Sequence, residues 1–133
     1  MTPSRSPFSY AVLRVVPDIE REEFLNAGLV LFCRVRRYLR AGTSLNPARL
    51  RALRLEADAD GLAAQLHLIE RIAAGDVERG PLALMTQSER FHWLTTPRST
   101  AIQPGPIHGG MSDDPDATFE HLYATLIEQD RRA

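Results

Sequence analysis

The segment Glu89–Gly110, ERFHWLTTPRSTAIQPGPIHGG, concentrates side chains able to do chemistry. It holds the single Trp, two of the four His, two Arg, three Pro and three Gly. Arg98, Ser99 and Thr100 directly follow Pro97. That order lets a guanidinium, two hydroxyls and backbone N–H groups converge on an oxyanion. His92 or His108 is the candidate acid or base, because imidazole titrates near neutral pH, and Ser99 joins them as a catalytic candidate. The segment divides into an anchoring part (Phe91, Trp93, Pro97) and a polar part (Arg90, Arg98, Ser99, Gln103, His108), with Arg98 as the pivot. Arg98 either holds a ligand or pins its own loop.

Two other groups invite a chemical reading. Glu22 and Asn26 flank Phe24 just before an apolar run. A carboxylate and an amide at a strand entrance bind a polar ligand or tie down their own loop. Residues 34–54 contain Arg34, Arg36, Arg37, Arg40, Arg49, Arg51 and Arg54 with no Asp or Glu among them. Such a cluster is either an anion or nucleic-acid patch, centred on Arg34, Arg36, Arg37 and Arg40, or a solvated face that pairs with acids such as Glu56, Asp58 and those of the C-terminal third. All sixteen basic residues are Arg, which a GC-rich genome explains as readily as selection for bidentate anion contacts.

Several function classes lack their signatures. There is no phosphate-binding G-x-x-x-x-G-K loop, no G-x-G-x-x-G, no H-E-x-x-H, no C-x-x-C and no G-x-S-x-G. One Cys and four scattered His do not supply a classical zinc set. A combination of His92, His108 and a carboxylate is the one open metal geometry, and no metal or cofactor is expected. A net charge of -1 gives no whole-chain argument for nucleic acid or a membrane. The N-terminal MTPSRSPF lacks the apolar core of a signal peptide, and the apolar run near residue 30 is too short to cross a bilayer. With Cys33 alone in an apolar run, the expected compartment is the cytoplasm.

These residues need elements to hold them. A chain of 133 residues suits one domain. Residues 1–7 read as a flexible lead and 8–130 as one globular domain. Phe8–Val16 predicts a central strand, apolar on both alternating faces except at Arg14. Asn26 and Gly28 predict a bend or bulge at the entrance to a second strand, Leu29–Val35. A third strand follows as a hairpin, with no Asn-Gly to mark the turn. Asn46 with Pro47 starts a helix, a second runs to Gly75, and Thr86 with Glu89 makes a capping box for Gln87–Leu94. Ser99–Gln103 predicts an edge strand, PGPIHGGMSDD a long loop, and Asp114 with Pro115 opens a last helix carrying Phe119, Leu122, Tyr123, Leu126 and Ile127 on one stripe. Strands first and helices after predict an α+β fold: a small antiparallel sheet of three to four strands, N-terminal hairpin included, packed against about three helices.

Three stretches, FSYAVLRVVPDIEREEFLNAGLVLFC, ERFHWLTTPRSTAIQPGPIHGG and SDDP, together resemble a bacterial family known as domain of unknown function 3037. The resemblance extends from Phe8 to the last helix. Family members typically read R-G-E-F-x-N-x-G in the first block; here Glu23, Phe24, Asn26 and Gly28 match, and Glu22 stands at the Gly. In the second block Arg90, Phe91, Trp93, Pro97, Arg98, Ser99, Thr100 and Gln103 match, as does His108 before two glycines. The resemblance implies no established activity and no catalytic residue. It implies genes that neighbour HipA-like kinase genes. The expected function is therefore a non-enzymatic binding or regulatory partner of such a kinase, contacting it through Glu89–Gly110 with Glu23 and Asn26. The alternatives are a small hydrolase or phosphate-handling enzyme using Arg98, Ser99 and a His, and nucleic-acid binding through Arg34–Arg54.

Overall fold

The computed structural model describes residues 4–78, 80–98 and 100–128. Among the described residues, five antiparallel strands and four α-helices form one α+β domain. The strands are β1 (Ser6–Asp18), β2 (Glu23–Cys33), β3 (Tyr38–Thr43), β4 (Ile102–Pro104) and β5 (His108–Ser112). The helices are α1 (Pro47–Leu53), α2 (Ala59–Ala74), α3 (Gln87–Leu94) and α4 (Pro115–Leu126). The sheet has one strand more than the three to four expected, and one helix more than about three. The extra strand is β5, which lies in the segment expected to be a long loop. It pairs with the first half of β1, from Ser6↔Ser112 to Tyr10↔His108.

Two physical reasons account for β5. The first is Gly110: a Cβ there would stand 2.7 Å from the Phe8 ring, so only glycine lets that ring lie across the strand. The second is that β1 starts at Ser6 and buries it. Ser6 and Pro7 thus belong to the sheet, not to a flexible lead. β4 is shorter than the expected edge strand and pairs with the second half of β1, from Leu13↔Pro104 to Val15↔Ile102. β1 is therefore bonded along both edges, with β2 on its other side and β3 beyond.

Both faces of the sheet are covered. Ala11, Leu13, Val15 and Val30 face a core completed by Leu50 of α1, Leu66 and Ile72 of α2, and Phe91 and Leu94 of α3. Leu29, Leu31, Tyr10 and Val12 face α4 through Phe119, Leu122 and Tyr123. Each fully buried aliphatic or aromatic side chain contributes about 2 kcal/mol through removal of apolar surface from water. The expected bulge is present, but inside β2: Leu13 pairs with Gly28 and Arg14 with Asn26, leaving Ala27 as the extra residue. β2 consequently starts at Glu23 rather than Leu29 and ends at Cys33 rather than Val35.

The helix starts follow the capping chemistry. The Asn46 side chain accepts from the Ala48 and Arg49 N–H groups, Asp58 caps α2, and Asp114 caps α4. Thr86 and Glu89 exchange both bonds of a capping box. Gly75 ends α2 at φ 78. The expected loop before α3 contains a short 3-10 turn, Pro81–Leu84.

Both hairpins share one turn design. The β1–β2 link and the β2–β3 link each close with a left-handed non-glycine residue, Glu22 at φ 58 and Arg37 at φ 53. The left-handed region costs an ordinary L-residue about 1 kcal/mol. Glu22→Gly relieves that strain but adds freedom to the unfolded chain, worth about 0.5 kcal/mol. A net gain of about 0.5 kcal/mol follows from these two opposing effects, and Glu22→Val lowers stability instead; urea denaturation of the two variants measures both.

Candidate functional site

A central strand with apolar faces has little room for a charge, yet β1 carries Arg14. Its neighbours Leu13 and Val15 point into the three-helix core, so Arg14 points to the opposite face. There the guanidinium lies over the Phe24 ring, 4.3 Å from its centroid. Gly105 lies on the same guanidinium: a Cβ there would stand 3.1 Å from Cζ. The Arg14 Nε is buried and has no hydrogen-bond partner. Buried polar atoms are normally satisfied, and no acid approaches Arg14 within ion-pair distance among the described residues.

Arg14 opens into a surface depression of about 370 Å³, which it shares with Glu22, Phe24, Arg98 and Gln103. Gln103 is the cross-strand partner of Arg14, and its amide donates to the Thr100 carbonyl at 2.9 Å. Arg98 is placed by the end of α3. Its Nη2 donates to the Trp93 carbonyl, one of the carbonyls that a helix end leaves unpaired, and its Cζ sits 4.2 Å from the Trp93 ring centroid. Arg98 holds its own loop, then, and still lines the depression. A guanidinium has five N–H donors, so one bond to a carbonyl leaves most of them available. Ile19 and Phe24, 50% and 46% exposed, add apolar surface at the same place.

The remaining sequence candidates are distributed elsewhere. Glu23 is exposed and pairs with Arg21 at 2.6 Å; its neighbour Glu22 is the one that lines the depression. The Asn26 amide donates to the Leu126 carbonyl at 3.3 Å, joining β2 to the end of α4. Arg90 donates to the Met85 carbonyl at 2.8 Å, bracing the chain before α3. His92 is exposed on α3, in a groove with Met85, Trp93 and Thr96. His108 stands on the α4 side of the sheet with its ring 5.3 Å from that of Tyr10, so the two His lie on opposite sides of the sheet. Ser99 lies outside the described residues.

The Arg-rich stretch separates likewise. Arg40 donates to Asp116 at 2.9 Å and Glu120 at 2.8 Å and lies over the Phe119 ring. Arg36 donates to Ser6 Oγ at 3.1 Å and to the Ser4 carbonyl at 2.7 Å. The exposed Arg34 and Arg37 belong to the β2–β3 turn, whose Arg37 N–H donates back to the Arg34 carbonyl. Tyr38 donates to Asp116 at 2.8 Å; burial, together with that bond, pushes its phenol up to about 12. The same bond, with help from Arg40, holds Asp116 below the usual carboxylate range. Among the described residues no group of three or more His, Cys, Asp or Glu is placed to hold a metal ion, and no helix is long and apolar enough to cross a membrane.

The residue that sequence reasoning passed over is Arg14. Its signal was present as a charge inside a run apolar on both faces. What the run does not show is that Phe24, Gly105, Arg98 and Gln103 gather around it.

A family model described as a protein of unknown function (DUF3037) matches residues 10–127, a span that includes every residue lining the depression. No curated protein and no solved structure matches the chain.

Two outcomes are expected. Gly105→Ala crowds the Arg14 guanidinium and lowers stability by about 1 kcal/mol; the loss shrinks in an Arg14→Ala background, which a double-mutant cycle reads directly. Tyr38 keeps its proton in the folded state up to about 12, against 10.0 when unfolded. The folded state thus binds more protons in that interval, so its stability is fully present below pH 10 and falls as pH rises towards 12. Alkaline unfolding curves of Tyr38→Phe show a shallower fall.

Proposed function

Because the chain belongs to the DUF3037 family of proteins of unknown function, its role has to be argued from its own surface, and we propose that it is a non-enzymatic binding module. In this reading it acts in the bacterial cytoplasm as a regulatory partner of a HipA-like kinase, a partner that the family resemblance implies through gene neighbourhoods. The contact surface is the depression around Arg14 and Arg98.

The observation that carries the reading is Arg14 itself. A guanidinium held in a central strand with a buried, unpartnered Nε is costly to fold around, because desolvated donors normally need partners. The cost has a use if a binding partner supplies the missing acceptor. Around it stand the residue types that dominate protein contacts: an exposed aromatic, Phe24, an exposed Ile19, and two arginines stacked on aromatic rings.

A hydrolytic reading needs a histidine beside Arg98, within hydrogen-bond reach of a reacting group. His108 shares the face of Arg14 but stands against Tyr10, four residues along β1 from Arg14, and does not line the depression, and His92 opens into a different groove. A nucleic-acid reading needs free cations in the Arg34–Arg54 stretch, and Arg40 is engaged by two carboxylates. Both therefore rank below the binding reading.

Titration calorimetry of the chain with a HipA-like kinase from the same genome tests the proposal. A complex at micromolar concentration or tighter is expected, weakened at least tenfold, or about 1.4 kcal/mol, by Arg14→Gln or Phe24→Ala. Leu84→Ala, an exposed change in the Pro81–Leu84 turn, leaves it intact. A monodisperse monomer with no complex, or a complex indifferent to Arg14 and Phe24, refutes it.

A further inference from the structure

We propose that the depression recognises a single carboxylate on an apolar stem, presented by the partner as an acidic side chain or chain terminus. This rests on the binding reading above and adds the chemistry of the contact.

Three observations converge on a carboxylate. The first is the donor set. The Arg14 side chain makes no hydrogen bond among the described residues, and its guanidinium lies over the Phe24 ring and against Gly105. Arg98 uses one bond to the Trp93 carbonyl and lies over the Trp93 ring. Two guanidiniums with most of their N–H groups unspent offer a fork of donors, and a carboxylate is the simplest group that meets such a fork bidentately.

The second is charge. The depression holds two guanidiniums and one carboxylate, Glu22, and Glu22 forms no ion pair with either arginine within 4.0 Å. The local sum is one positive charge. A monoanion neutralises it, whereas a phosphate dianion overshoots and meets the repulsion of Glu22. An unpaired like charge at the rim is a recognised means of rejecting a competitor. The left-handed conformation of Glu22 keeps this acid in the closing position of the turn, beside the depression.

The third is the lining. Val16, Ile19 and Phe24 share the wall with the charged groups. A bare inorganic ion leaves that apolar surface exposed, whereas a carboxylate on an aliphatic stem covers it. The volume of about 370 Å³ lies at the lower end of the range of small-molecule sites and accommodates a side chain.

Trp93 is the single Trp of the chain and lies beneath the Arg98 guanidinium, so its fluorescence reports on Arg98. The test titrates the isolated protein with hexanoate, with hexanol and with inorganic phosphate. Hexanoate is expected to give a saturable change in Trp93 emission at millimolar concentration, weakened at least fivefold by Arg14→Gln and likewise by Arg98→Gln, while hexanol and phosphate give none. Glu22→Gln, an exposed change that leaves the core untouched, is expected to admit phosphate. Circular dichroism confirms that each variant is folded. Phosphate binding as tightly as hexanoate to the unmodified chain overturns the proposal, as does a lack of response to hexanoate or an unchanged selectivity in Glu22→Gln. Calorimetry with the kinase is read independently. A kinase complex without a hexanoate response sinks only the carboxylate chemistry, and a hexanoate response without a complex sinks only the choice of partner.

Discussion

The structure depends on β1 being bonded along both edges. Over its 13 residues it pairs with β2 on one side and with β5 and then β4 on the other. A strand in that position must be tolerated on both faces, and β1 separates a core covered by α1, α2 and α3 from one covered by α4. A substitution that weakens β1 loosens both. The same constraint locates the candidate site, because β1 brings the first hairpin and the segment after α3 to its two edges. Phe24 reaches Arg14 from one edge, and Gln103 and Gly105 reach it from the other.

The site illustrates how a charge is kept in a sheet. A guanidinium has flat faces that are weakly hydrated and edges that need acceptors. Phe24 and Gly105 both lie against the Arg14 guanidinium, and a ring face offers some electrostatic compensation as well. Coverage of this kind allows partial burial without an acid, and it leaves the edges unsatisfied. Arg98 repeats the arrangement on Trp93, with one edge on a helix-end carbonyl. Arg40 also lies over a ring, that of Phe119, but its edge is satisfied by Asp116 and Glu120. The three arginines thus share one packing motif and differ in whether the protein supplies the acceptor. That difference separates a structural arginine from a candidate for binding.

Much of the fold was legible because it rests on local chemistry. Asn46, Thr86 and Asp114 signal helix starts through their own side chains, and Pro47 and Pro115 fix the first turns; Asp58, read as an acid for the Arg-rich stretch, instead caps α2. The apolar stripe of α4 marks its buried face. What was not legible depends on distant contacts. β5 contains two glycines and no apolar alternation, so its strand character comes from β1 and from the Phe8 ring that Gly110 admits. The early start of β2 follows from the Ala27 bulge, which exists only in the pairing with β1. Among the candidate residues, Arg98 and Gln103 meet at one depression, whereas Asn26, Arg90, His92 and His108 go to separate tasks.

The α+β class, the central place of β1, the caps of α1, α3 and α4 and the family resemblance could all be read from the residues alone, because each is written in neighbouring residues or in a long matched stretch. Glu22, at the entrance to the second strand, adopts the left-handed conformation a glycine would take freely. Which polar residues share a surface follows from the fold instead. Residues 14, 22, 24, 98 and 103 come from three separate parts of the chain and meet because β1 is paired on both edges. No periodicity or spacing carries that information, since it depends on strand register across gaps of up to some 90 positions.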